Sequence, residues 1–227
     1  MNYELWVDLH KGNNRQGPGG DEQTSLAVVL SGLDRSKPLV IADVGCGAGS
    51  STVMLAENLN ASIVAIDLFE SFLDVLSGEA QKRGVADKIK TLACSMEDLP
   101  FDEGSLDAIW AEGSIYNVGF AKGVEYFKRF LKPGGILAVS EITWLTTERP
   151  EEIQRHWHAE YPEIGTASDK ITTLENHGYS LKGYFPLPVK SWQDNYYEPL
   201  EAAFDGFLSR HHSAQAQAIV EAERVEI

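Results

Sequence analysis

The chain has 227 residues, 43% hydrophobic and 23% charged, with a formal net charge of −15. Its length is about one and a half times the ~150-residue prior for a domain, and its composition is that of a globular protein, so one α/β domain with an insertion or small cap is expected. No apolar run reaches the ~18–20 residues of a membrane helix, no secretory leader pattern opens the chain, and the acidic balance makes phosphate backbones and anionic lipid poor partners.

In chain order, residues 11–20 (Lys-Gly-Asn-Asn-Arg-Gln-Gly-Pro-Gly-Gly) form a loop by composition. A helix is predicted from Asp21 as N-cap, with Leu26, Val29, Leu30 and Leu33 at helical spacing. Leu39–Val44 is a short apolar run ending in glycines, Ser50–Asn60 a helix, and Ser62–Asp67 a second run. Phe69–Arg83 is a helix stopped by Gly84, Lys88–Cys94 a third strand and Leu106–Ala111 a fourth. Phe120–Leu131 is a helix ending before Pro133-Gly134-Gly135, and Ile136–Ile142 is a fifth strand. Alternating apolar strands and helices predict a doubly wound, mostly parallel Rossmann-like sheet. Such sheets bind ligands at the carboxyl ends of their strands.

The stretch 143–178 is polar and aromatic, with short helices predicted at 148–160 and 167–177, and reads as a helical lid over the ligand side. Tyr179–Leu187 reads as a sixth strand, and 191–227 as helical. The expected organisation is a cofactor-binding core with an N-terminal helix (1–145), a lid insertion (146–178), and a closing segment (179–227) that completes a single domain. Cys46 and Cys94 have no CxxC or CxxH spacing, so zinc and thiol–disulfide chemistry are disfavoured. Two reduced thiols fit a cytoplasmic protein. His156 and His158, two apart on a helix, face away from each other and make a poor metal site, as do His211 and His212. Trp144, Trp157, Tyr161, Trp192, Tyr196 and Tyr197 form either a stacking pocket for a planar or cationic substrate or ordinary lid packing.

The chemistry concentrates in Asp43-Val44-Gly45-Cys46-Gly47-Ala48-Gly49-Ser50, which joins the first strand to a helix. Glycines let main-chain atoms approach a ligand, and the helix start offers N–H groups and a positive dipole end. Ser50 stands where a dinucleotide fingerprint needs its third glycine, and there is no Lys-Ser/Thr pair of a P-loop. Asp67, about 20 residues beyond Gly45 at the end of the second strand, is placed to accept hydrogen bonds from a ribose diol.

Asp43-x-Gly45-x-Gly47-x-Gly49 resembles the first motif of class I S-adenosylmethionine-dependent methyltransferases. Asp67, Ser95-Met96-Glu97-Asp98-Leu99-Pro100-Phe101, Leu106-Asp107-Ala108-Ile109-Trp110 and Leu131-Lys132-Pro133-Gly134-Gly135 match further segments in register, so the likeness covers roughly 15–145. Arg15-Gln16-Gly17-Pro18-Gly19, the segment Glu112–Phe120, Ser140-Glu141-Ile142-Thr143-Trp144 and Glu148-Arg149-Pro150 resemble a narrower group of bacterial small-molecule methyltransferase-like proteins.

The resemblance implies S-adenosylmethionine as cofactor, S-adenosylhomocysteine as product, and a small-molecule methyl acceptor reached by in-line displacement. It implies that the cofactor carboxylate meets Arg15 and the N–H groups of the turn at Gly45, Cys46, Gly47 and Gly49. The ammonium would meet the carbonyls of Gly45 and Glu112, with Asp43 orienting the loop or the ammonium. Asp67 would hold the ribose, and Leu68 and Met96 would sandwich the adenine unless they are core. Ser95 stands where many members place an Asp against the adenine amino group, so Glu97 or Asp98 would substitute. Glu112 or Glu141 would bind or deprotonate the acceptor, and Tyr116 and Asn117 would line the methyl pocket. The family's seventh strand has no counterpart after Leu187, which predicts an exposed sheet edge or a partner, a homodimer included. A nicotinamide-dependent oxidoreductase and a catalytically silent cofactor-binding protein are the alternatives.

Overall fold

The computed structural model describes residues 2–227. Five parallel strands form the sheet, in the order β3-β2-β1-β4-β5: β1 (Leu39–Val44), β2 (Ala61–Asp67), β3 (Ile89–Ala93), β4 (Leu106–Glu112) and β5 (Leu131–Ser140). The order reverses between β1 and β4, so the crevice at their carboxyl ends is the topological switch point. Helices α3 (Ser50–Asn58), α4 (Glu70–Lys82) and α5 (Phe120–Lys128) are the crossovers. β1 and β4 are apolar on both faces because both are covered. Ile41, Ile63, Trp110 and Leu76 pack on one side, and Val44, Ile66, Ile109, Phe120 and Phe127 on the other. The predicted crossover helices and the first four strands are present to within a few residues. No helix among the described residues is long and apolar enough to cross a membrane.

Three expectations are corrected. β5 begins at Leu131, not Ile136: Leu131 pairs with Leu106 and Ile136 with Ala108, so the Pro-Gly-Gly stretch is a bulge inside the strand. The helix α2 (Asp21–Ser31) has Gly20 as its N-cap, leaving Asp21 in the first turn. Tyr179–Leu187 is not a strand. Its start lies against α5, where the Tyr179 hydroxyl donates to the carbonyl of Val124, and it runs on to α2, where Gly183 lies against Leu30. A strand needs a ladder partner, none stands beside β5 among the described residues, and Pro186 and Pro188 have no N–H to donate. β5 therefore keeps an open outer edge, as the missing hairpin partner predicts.

The segment after β5 comprises a two-residue parallel pairing of β6 (Thr143–Trp144) with β7 (Gly165–Thr166), and helices α6 (Glu151–Glu160) and α7 (Ala167–Asn176). The C-terminal part is helical: α8 (Val189–Trp192), a π-helical turn at Gln193–Tyr197, α9 (Glu198–Arg210) and α10 (Ala214–Glu226). These pack around Leu200, Phe204, Phe207 and Val220, joined by Leu9 of the first helix, α1 (Tyr3–His10). The N-terminal and C-terminal helices thus form one layer, which presents the 11–20 loop to the crevice.

Candidate active site

Gly45, Gly47 and Gly49 all adopt left-handed φ values, of 72°, 55° and 85°. At Gly49 the need is also steric, since a Cβ there would lie 2.2 Å from Leu76 Cδ1. The turn's own N–H groups are all engaged: Gly45 and Cys46 donate to the carbonyl of Ile66, Gly47 to Asp67 Oδ2, Ala48 to Gln16 Oε1 and Gly49 to the carbonyl of Cys46. The Cys46 thiol is buried and pushed well above its usual pKa by that burial.

Asp67 lies where the sequence places it, at the mouth of the crevice. Its two oxygens accept N–H groups from Gly47 (2.9 Å) and Phe69 (3.0 Å). A carboxylate oxygen has a second lone pair, so two acceptor directions remain for a diol. Burial raises the Asp67 pKa, opposed by the backbone N–H groups of Phe69 and Gly47. Leu68 is 63% exposed, which excludes the core-packing reading for this residue, whereas Met96 is half-buried against the core. The Ser95 hydroxyl accepts the Glu97 N–H, and Glu97 pairs with Lys122 at 2.5 Å. Glu97 is thus already committed to a cation.

Asp43 is buried and orients the start of α3. Its Oδ2 accepts the hydroxyls of Ser51 (3.0 Å) and Thr52 (2.7 Å), while its Oδ1 has no partner. Burial, reinforced by the charge of Glu112, pushes its pKa up to about 7.

Glu112 and Arg15 do not face an open crevice. Arg15 Nη1 binds Glu112 Oε2 at 3.1 Å, and its Nη2 reaches Asp21 and Thr24. The Thr24 hydroxyl and Trp110 Nε1 also donate to Glu112. Glu112 is therefore a fixed counter-ion, not a free base.

Beyond β4, the Tyr116 ring meets Tyr161 edge-on at 6.0 Å, and Asn117 Nδ2 donates to the carbonyl of Ser114. The sequence reading of Glu141 as a group facing the acceptor is not what the structure displays. Its side chain is 5% exposed and its Oε1 binds Lys170 Nζ at 3.2 Å. Burial raises its pKa, with Tyr161 and Lys170 opposing. Lys170 also donates to the Tyr161 hydroxyl (2.7 Å) and the Glu163 carbonyl (2.9 Å). Glu163 in turn caps α5 by accepting the N–H groups of Phe120 and Ala121. This knot ties the 143–178 segment to the end of β5 and to the loop carrying Tyr116 and Asn117.

Sequence reasoning missed Gln16, Thr24, Glu163 and Lys170. Gln16 stands inside the Arg15–Gly19 run, which was its only signal. Lys170 reads in sequence as an ordinary polar helix position. The aromatic set divides: Trp144 and Tyr161 are in the 143–178 segment, while Tyr196 belongs to the C-terminal core and touches Tyr197, itself beside Trp192. Among the described residues no group of three or more His, Cys, Asp or Glu side chains gathers as a metal site. A cavity of about 250 Å³ is walled by Trp144, Thr166 and Tyr184, and one of about 350 Å³ lies at Glu70, Asp74 and Thr91. Neither is lined by a residue of the glycine turn.

Comparison with known proteins agrees with this geometry. Residues 42–139 match a family described as a methyltransferase domain. A demethylmenaquinone methyltransferase of Clavibacter sepedonicus is 29% identical over 187 residues, covering 81% of this chain and 71% of that protein. A sterol 24-C-methyltransferase of Gibberella zeae is 31% identical over 109 residues, 48% of this chain but only 28% of that much longer protein. The solved structure of a methyltransferase of Geobacter sulfurreducens with S-adenosylhomocysteine superposes with a TM-score of 0.85, at 17% identity, covering 98% of this chain and 89% of that one. Residues 42–139 are thus similar to the methyltransferase-domain family, and the fold is that of the class I S-adenosylmethionine-dependent methyltransferases.

Proposed function

We propose that this protein transfers the methyl group of S-adenosylmethionine to a small-molecule acceptor. The observation that carries the reading is Asp67: its carboxylate is pinned by two backbone N–H groups beside the glycine turn, with acceptor directions left over for a ribose diol. The residues fit the cofactor in three further ways. The turn is built of left-handed glycines, Asp43 carries an unpartnered buried oxygen near Glu112, and Leu68 offers an exposed apolar side chain for a nucleobase. When bound, the cofactor supplies an electrophilic methyl on a positively charged sulfur.

The chain's own groups then have defined tasks. Asp67 orients the sugar and Leu68 covers the base. Arg15 and Glu112, an ion pair at the switch point, provide one positive and one negative group for a zwitterionic amino-acid end. Tyr116, 46% exposed, stands on the loop after β4 as a wall for the acceptor. Most of the acceleration in such a displacement comes from holding nucleophile and methyl together, worth up to roughly 7–11 kcal/mol. Glu141 serves this by fixing the lid through Lys170.

That the acceptor is a small molecule rests on the acidic surface and on the relatives, one named for a sterol and one for a demethylmenaquinone. Reduced thiols at Cys46 and Cys94 fit a bacterial cytoplasm, and the open β5 edge fits pairing with a second copy, to be read by sedimentation. The nicotinamide reading is set aside by Ser50 in place of the third glycine and by the family match. Calorimetric titration with S-adenosylhomocysteine and with NAD tests the proposal. Saturable heat is expected from the first alone, and a response confined to NAD overturns it. Saturable binding without transfer to any acceptor of a broad panel would favour the silent cofactor-binding protein.

A further inference from the structure

The amino-acid end of the crevice is filled by the chain itself. Gln16 Oε1 accepts the N–H of Ala48 at 2.7 Å, at the approach to α3, and its Nε2 is anchored by the carbonyls of His10 (3.2 Å) and Asn13 (3.0 Å). The fit is close enough that a Cβ on Gly47 would lie 2.3 Å from Gln16 Oε1. One residue away, Arg15 lies on Glu112 with the two side chains only 10% and 16% exposed. Beneath them, Asp43 keeps one buried oxygen without a partner.

Taken together, a carboxamide oxygen holds an N–H near a helix start, a place suited to an anion. A guanidinium and a carboxylate neutralise each other where a carboxylate and an ammonium would each find a partner. We propose that Arg15 and Gln16 stand in for the cofactor's amino-acid end, and that Gln16 is a gating residue that admits only ligands carrying both charges of an α-amino acid. This rests on the cofactor reading above. On binding, the ligand carboxylate takes the Ala48 N–H from Gln16 and pairs with Arg15, and the ligand ammonium replaces Arg15 on Glu112. A ligand shifts such an equilibrium only by its differential affinity for the two arrangements. A nucleoside thioether without the amino-acid end gains nothing from opening the latch and leaves it closed.

The test compares S-adenosylhomocysteine with 5′-methylthioadenosine, which shares its nucleoside and sulfur but lacks the zwitterion. Dissociation constants are measured by calorimetry for wild type, Gln16→Ala and Gln16→Glu, with circular dichroism as the folding check. In Gln16→Ala the competitor for the Ala48 N–H is gone. S-adenosylhomocysteine should bind about threefold to tenfold tighter, the range of one hydrogen bond, while 5′-methylthioadenosine stays within about twofold. Gln16→Glu puts a permanent carboxylate beside Ala48 and Arg15, and should weaken S-adenosylhomocysteine by about tenfold without moving 5′-methylthioadenosine. If Gln16→Ala does not fold, Gln16→Glu, which keeps the side-chain length, carries the test alone. Unchanged or weaker S-adenosylhomocysteine binding in Gln16→Ala, unchanged binding in Gln16→Glu, or parallel shifts of both ligands overturns the latch and leaves the cofactor reading standing. Failure of the wild type to bind S-adenosylhomocysteine overturns both.

Discussion

Replacing Lys170 with Met tests whether the 143–178 segment is held by charge or by packing. Lys170 is 7% exposed, and its ammonium serves Glu141, Tyr161 and the Glu163 carbonyl while lying 4.6 Å from the ring centroids of both Phe120 and Tyr161. Methionine fills a similar volume, so the loss is almost wholly electrostatic. It leaves the Glu141 carboxylate buried without its cation, a situation that costs about 3–5 kcal/mol. Burial already raises the Glu141 pKa with Lys170 opposing, so removing Lys170 raises it further. A carboxyl whose folded pKa lies above its unfolded value stabilises the fold below the unfolded pKa and loses that contribution as pH rises through the folded one. The K170M penalty should therefore be larger at pH 8 than at pH 5. Urea denaturation at both pH values measures it, and adding Glu141→Leu should recover most of the loss, because the unpaired charge is then gone. A K170M cost below about 1 kcal/mol at pH 8, or no recovery in the double variant, would refute the reasoning.

Three other expectations follow from the same geometry. Asp67→Ala should weaken S-adenosylhomocysteine binding by about 1.5–3 kcal/mol, roughly tenfold to a hundredfold, and an unaltered calorimetric affinity would deny Asp67 its ribose role. Asp43, with a pKa lifted by burial from 3.8 to about 7, contributes stability at low pH that is lost as pH rises across that window. A lift of that size corresponds to about 4 kcal/mol, so the Asp43→Asn variant should have a flatter stability–pH curve between pH 4 and 7 than wild type in chemical denaturation. Gly49→Ala drives a methyl group to within 2.2 Å of Leu76 at φ 85° and should destabilise by about 2 kcal/mol or more. A thermal midpoint within a degree of wild type would show that the turn has room the structure does not display.

How much could be read without coordinates depended on how local each signal was. Strands β1 to β4, the crossover helices and the glycine turn follow from period, caps and left-handed positions, which are properties of a few consecutive residues. Asp67 was legible for the same reason, since the end of β2 and the turn after β1 are adjacent in any sheet that pairs these two strands. Tyr179–Leu187 was misread because β-propensity records only a willingness to pair. Whether a ladder exists beside β5 is decided by the rest of the fold, and here the segment crosses from α5 to α2 instead.

The reversal of roles at Glu112 and Glu141 has the same origin. The sequence by itself determined that two carboxylates stand at the ends of β4 and β5. Only the tertiary structure decided that Arg15 and Thr24 close on one and Lys170 on the other, across separations of 97, 88 and 29 residues. Charge pairing is a matter of distance in space and of burial, and no periodicity along the chain encodes which distant cation arrives.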